Sequence, residues 1–138
     1  MRFMVMVIAT KEPEPGVLPK PEAFAAMQKY NETAVKAGVL LAAEGLAPRS
    51  KGARVKFSSE KATVVDGPFA ESKELVAGFS IIKVNSLDEA IDWVKRAPFA
   101  ASNGGLEVEI RKLMDAEDFG DMLGGEFTPN EEIAKVKF

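Results

Sequence analysis

Two stretches of this chain carry apolar residues at helical spacing, one opening at Pro21 and one at Ser86, and each lies between runs that read as strands. "RFMVMVIAT" is apolar on successive residues, the pattern of a strand central in its sheet and covered on both faces. In the first helical stretch Phe24, Met27, Ala34 and Val35 form the apolar set, Pro21 suits the first turn, Lys36 the last, and Gly38 the stop. "VLLAAEGL" then reads as a second buried strand and "ELVAGFSIIKV" as a long third one. Ser86-Leu87-Asp88-Glu89 has the form of a capping box, and Leu87, Ala90, Ile91, Val94 and Ala97 make an apolar stripe that ends before Pro98. "LEVEIRKL" alternates, with Leu106, Val108 and Ile110 on one face and Glu107, Glu109 and Arg111 on the other.

Strand-helix-strand therefore occurs twice, with "ARVKFSSEKATVV" inserted as a short hairpin that has one wet face. Right-handed crossovers place both helices on the same face of one sheet, so the expected fold is an α+β ferredoxin-like sandwich. A sheet covered on one face needs a partner for the other, and a second copy supplies it; a homodimer is the expectation. "KEPEPGVLPK" is a long, partly stiff connection. Residues 114–138 keep Phe119, Met122, Leu123 and Phe127 without a long period, so they read as a C-terminal arm, packed across the body or the dimer mate, of a single domain spanning 1–138.

Composition narrows the chemistry. A net charge of -3 gives none of the basic field that phosphate backbones demand, so no direct nucleic-acid contact is expected. The absence of cysteine removes disulfides, thiolate nucleophiles and sulfur-ligated zinc, and suits a reducing cytoplasm. The apolar run Phe3 to Thr10 is too short to span a bilayer and lacks signal-peptide flanks, so a cytoplasmic protein without a membrane partner is expected. With no histidine, any catalysis falls to carboxylates, Lys, Tyr30, hydroxyls or backbone groups.

The stretch "VVDGPFAESKELVAGF", residues 64–79, breaks an apolar run with Asp66-Gly67-Pro68. Glycine permits a backbone turn closed to other residues, proline fixes φ, and aspartate bonds the amides ahead of it, which makes a stiff turn. The same stiffness would present a carboxylate and the Phe69 ring reproducibly, as a binding site requires, and Glu71, Lys73 and Glu74 follow at once. Glu44 stands late in an apolar strand, where an unpaired carboxylate is costly; it would pair with Arg111 or Lys73, or act as a general base. Glu44, Asp66, Glu71 and Glu74 could in principle ligate magnesium or calcium, yet no D-x-D spacing supports this, and neither metal nor cofactor is expected. Arg49, Lys51, Arg54 and Lys56 form a basic cluster that attracts an anion or simply keeps an edge strand soluble. Tyr30 is expected to pack its ring and keep its hydroxyl in water, and "NGG", residues 103–105, to form a turn.

"AGVLLAAEGL" at 37–46, "DGPFAESKELVAGF" at 66–79, and "LEVEIRKL" followed by "AEDFG" at 116–120 resemble the YCII-related family in its DGPF branch. The resemblance implies a ferredoxin-like homodimer of the dimeric α/β barrel type, with a cleft between sheet and partner. A histidine and an aspartate typical of the wider family have suggested enzymatic activity. Asp66 looks like that aspartate, whereas the histidine has no counterpart here, which puts a His-Asp mechanism out of reach. The expected protein is a small-molecule-binding dimer whose cleft is edged by Glu44, Asp66, Pro68, Phe69, Glu71 and Lys73. In it Asp66 would be the acid-base residue, raised in pKa by burial beside Phe69, and Lys73 would neutralise an anionic substrate. The branch also includes proteins fused to sigma-factor domains, so the alternative is a non-enzymatic regulator that contacts a sigma factor through the arm or the charged face bearing Glu107 and Glu109.

Overall fold

The computed structural model describes residues 1–9, 20–66, 75–101 and 106–136. Four strands make one antiparallel sheet: β1 (Arg2–Ala9), β2 (Leu40–Gly45), β5 (Leu75–Lys83) and β6 (Leu106–Lys112), in the order β2-β5-β1-β6. The helices α1 (Pro21–Lys36) and α2 (Leu87–Arg96) connect β1 to β2 and β5 to β6. This α+β arrangement is compatible with a ferredoxin-like sandwich. No helix among the described residues is long and apolar enough to cross a membrane.

Local sequence explains where the helices start and stop. Pro21 begins α1, and Gly38 leaves it with φ of +73°, a conformation that glycine adopts without a Cβ clash. Ser86 caps α2 by accepting from the Glu89 amide at 3.1 Å. The Glu89 carboxylate reaches one residue farther back than a regular box requires, to the Asn85 amide at 3.0 Å.

Phe3, Val5, Ile82 and Val84 of the sheet region pack against Ala34 of α1 and Ala90 and Trp93 of α2 in one core. The inward face of α1 is thus built from Met27, Tyr30 and Ala34, while Phe24 and Val35 stand in solvent, contrary to the face expected from their spacing. On α2 the expected stripe holds at Ala90, Val94 and Ala97, Leu87 lies outside it, and Trp93 joins the core.

β1 is central, as its apolar run required, but α1 and α2 cover only one of its faces. β2 is an edge strand rather than a buried one: it pairs with β5 alone, and most of its residues are exposed. Its apolar composition reflects contact with α1 on one face, not enclosure on two. β3 (Ala53–Phe57) and β4 (Ala62–Asp66) form a separate two-stranded sheet closed by Ser58 donating to the Lys61 carbonyl at 2.8 Å. Every residue of β3 is exposed, so the expected single wet face is in fact two.

Beyond β6 the chain forms two helices that the lack of a long period concealed, α3 (Ala116–Leu123) and α4 (Glu131–Ala134). Asp115 and Asp118 make a reciprocal capping box at the start of α3, each side chain accepting from the other's amide at 2.9 Å. Phe119 stacks on Phe127 at 5.1 Å, and Lys112 at the end of β6 pairs with Asp118.

Candidate functional site

The register of the sheet produces a cavity. On the helix-covered face, aligned residues run Leu40, Ile82 and Phe3 across three strands, then Ala43, Ser80 and Val5, then Gly45, Gly78 and Val7. Toward that end of the sheet the β2 and β5 side chains shrink from leucine and isoleucine to alanine and serine and then to nothing. The helices do not sink to follow, and a space of about 310 Å³ remains between sheet and helices.

Gly78 fixes the empty row. A Cβ built there would stand 2.9 Å from the Glu44 backbone carbonyl, so the close approach of β2 to β5 admits only glycine. Met27, Tyr30, Asn31 and Ala34 of α1 form the opposite wall, with Val94 of α2 and Phe99 beyond it. The lining is mainly apolar, with the Asn31 amide, the Ser80 hydroxyl and the Tyr30 ring as its polar-bearing side chains. A cavity of this kind takes up a ligand by burying its apolar body and orienting it through a few polar groups.

Tyr30 holds the wall in place. Its hydroxyl donates to the Trp93 carbonyl at 2.8 Å, so it is not left to water as expected. Burial pushes the Tyr30 phenol above its ordinary pKa, with Arg96 nearby opposing the shift in part. Arg96 lies over the Trp93 ring at 3.9 Å from its centroid.

Of the cleft residues expected from the sequence, Glu44 alone lines the cavity among the described residues, with its backbone carbonyl against Gly78; Tyr30 lines it too. The register pairs it with Phe79, on the sheet face turned away from the helices, where it is exposed. It therefore does not bear the burial cost expected of it, and no ion pair joins it to Arg111 among the described residues. Asp66 ends β4 opposite Ala53. Pro68, Phe69, Glu71 and Lys73 lie outside the described residues, as do Glu74 and the 103–105 turn. Among the described residues no group of three acidic side chains is placed to hold a metal ion. Tyr30 stood in the sequence as a packing residue and one of the few groups open to catalysis, whereas Asn31, Ser80 and Phe99 carried no signal there; they become visible only once the register brings them to one space.

The sequence model of the YCII-related domain matches residues 1–114. The chain belongs to the YCII-related family. An uncharacterized protein of Rhizobium meliloti (strain 1021) is 40% identical to it over 89 residues, which cover 64% of this chain and 68% of that protein. The family match contains the whole sheet, α1, α2 and the cavity, and it stops before α3. Family membership is thus a statement about the cavity-bearing body and not about the two C-terminal helices.

Proposed function

We propose that this YCII-related protein is a homodimeric small-molecule-binding protein whose ligand occupies the cavity between the sheet and α1, with Asp66 as an acid-base residue. The observation that carries the reading is the cavity itself, an apolar space closed on one side by a forced glycine and edged by Asn31 and Ser80. Its volume is about twice the ~150 Å³ of an apolar cavity that accepts benzene. It suits a ligand with an uncharged body of one or two rings and a hydrogen-bonding group that meets Asn31 or Ser80.

The Asp66 role rests on chain connection and chemistry. The motif beginning at Asp66 leads directly into β5, whose Ala77 and Gly78 line the cavity, and the chain has no histidine to serve instead. Lys73, in the same motif, would supply a cation that neutralises an anionic substrate.

Two features support the dimer. Half-buried Met4, Met6, Ile8 and Phe79, with buried Ile81 among them, share the sheet face that α1 and α2 leave uncovered. Glu44 on one edge and Glu107, Glu109 and Arg111 on the other flank them. An apolar centre with a charged rim is the layout of an interface between copies, which fits a dimeric α/β barrel in which the two sheets face each other.

The test is a thermal-shift screen of the purified chain against neutral one- and two-ring aromatic compounds and a general metabolite set. A ligand at one hundred times its dissociation constant adds about 2.7 kcal/mol, a shift of several degrees. The shift should vanish in Ser80→Leu, which fills the cavity; a shift that survives this variant puts the ligand elsewhere and overturns the cavity reading. Asp66→Asn should keep fold and binding while abolishing turnover of the bound compound, whereas loss of folding would leave Asp66 as a turn residue.

A further inference from the structure

A second hollow, apart from the cavity, lies between α1 and α2. Ala26, Lys29 and Thr33 stand three and four residues apart on one face of α1, and with Trp93 and Arg96 of α2 they enclose a groove of about 280 Å³. Among the described residues Tyr30 alone lines both the groove and the cavity. The two spaces share that wall and differ in their chemistry.

The hydroxyl protons of the groove are already spent. Tyr30 donates to the Trp93 carbonyl at 2.8 Å, and Thr33 donates to the Lys29 carbonyl at 3.0 Å. The donors that remain are the Lys29 ammonium, the Trp93 indole N–H and the terminal nitrogens of Arg96, whose Nε is held by the Asp92 carbonyl at 3.3 Å. Among the described residues no carboxylate lines the groove, and neither Lys29 nor Arg96 makes an ion pair, whereas Lys36, Lys112 and Lys135 each do. A hollow that offers donors, two of them charged, and no carboxylate is suited to an anion.

Arg96 is set in place before a ligand arrives. Its guanidinium lies 3.9 Å from the centroid of the buried Trp93 ring, and the bond from Nε fixes its rotation, so little ordering remains to be done on binding. Lys29 comes to the same groove from the other helix. The chain as a whole is acidic, with a net charge of -3, yet here two cations from separate elements line one space, and an anion between them relieves their repulsion. Ala26 and Pro98 supply apolar wall beside them.

We propose that the α1–α2 groove is a second binding site, for a small organic anion whose carboxylate or phosphate group lies between Lys29 and Arg96 and whose apolar body rests on Ala26 and Pro98. The space exceeds the ~150 Å³ that accepts benzene, so one ring and its charged group fit together. The site stands apart from the cavity reading: it takes a charged ligand on the outer side of the helices, where the cavity takes an uncharged body beneath them.

Trp93 is the only tryptophan of the chain, so its fluorescence reports on this groove. The experiment titrates the purified full chain with benzoate and with phenyl phosphate, against potassium chloride at matched ionic strength. Both organic anions should give a saturable change in Trp93 emission that chloride does not, and the one that saturates at lower concentration identifies the preferred oxyanion. Lys29→Gln and Arg96→Gln should each raise the concentration at half-saturation about tenfold or more, the loss of one charge-assisted contact. Lys29→Gln leaves the Trp93 surroundings as they are, so it reads the loss of binding free of any change in the reporter. Ser80→Leu, which fills the cavity, should leave the response in place. A response no different from that to chloride is screening and overturns the site. A saturable response unmoved by either substitution puts the anion elsewhere and overturns it too, as does a response lost in Ser80→Leu, which puts the anion in the cavity.

Discussion

The Tyr30 hydroxyl donates to the Trp93 carbonyl at 2.8 Å, a bond between α1 and α2 across 63 residues of chain. The carbonyl lies near the end of a helix in a partly buried setting, where water is a poor substitute. The two rings also meet edge to face at 6.4 Å. Tyr30→Phe keeps the ring contact and removes only the bond, so it should cost about 1–2 kcal/mol and lower the melting temperature by a few degrees. Because Tyr30 also lines the cavity, the same variant should weaken ligand binding by a similar or smaller factor. Thermal unfolding with and without ligand checks both, and an unchanged melting temperature would mean that the bond does not clamp the helices.

The face alternation of β6 was legible because Leu106, Val108 and Ile110 alternate with charged residues on a strand that has one dry face. The inner face of α1 was not, since Phe24 and Val35 are as apolar as Met27 and lie exposed all the same. Periodicity alone does not choose between two apolar arcs on one helix. α3 was missed for want of a long period, although Asp115 and Asp118, three residues apart before Phe119, carried the cap that starts it.

The cavity was illegible for a different reason. It comes from small residues on two strands, Ala43 and Gly45 on β2 and Ser80 and Gly78 on β5, falling side by side. That alignment depends on a shift in register between Leu40 and Ala42, which no local pattern reveals. Glu44 drew attention as a polar residue in an apolar run, but the same register turns its side chain away from the space its backbone helps to enclose.

The junction of body and arm should depend on pH at both extremes. The Lys112 ammonium, with help from the Asp115 amide, holds the Asp118 carboxyl below its ordinary value, and the bond to Asp118 raises Lys112 above its own. A carboxylate depressed by folding stabilises above its unfolded value, about 3.9, and that contribution is lost as pH falls through the folded value. A raised lysine stabilises below its unfolded value, about 10.4, and loses that contribution as pH rises through the folded one. Amide exchange or limited proteolysis at α3 should therefore show least opening at intermediate pH and more at either end. Asp118→Asn should flatten the acid limb while the core melts as before; an acid limb that persists would assign it to another group.

Ser80→Leu should do more than block a ligand. The new side chain enters an existing apolar space beside Val5 and Ala43, so it buries apolar area without displacing packed neighbours. A gain of about 0.5–2 kcal/mol is expected in urea unfolding, with no change in the slope against denaturant. A loss of stability would mean that the space is smaller than it stands or already filled.

Gly78→Ala tests the origin of that space. The added methyl group meets the Glu44 carbonyl oxygen at 2.9 Å, a backbone atom of the strand paired with β5, so β2 must move rather than a side chain turn. Overpacking of this kind costs about 1–3 kcal/mol. Ser80→Leu and Gly78→Ala both add bulk one row apart on the same strand, yet their effects on stability should have opposite signs. The first adds atoms where the sheet leaves room beneath α1; the second adds one where β2 and β5 already touch. Opposite signs in parallel unfolding curves would locate the boundary between close-packed sheet and open cavity within two residues of β5. Two losses of equal size would place both residues in packed surroundings and take away the cavity's glycine floor.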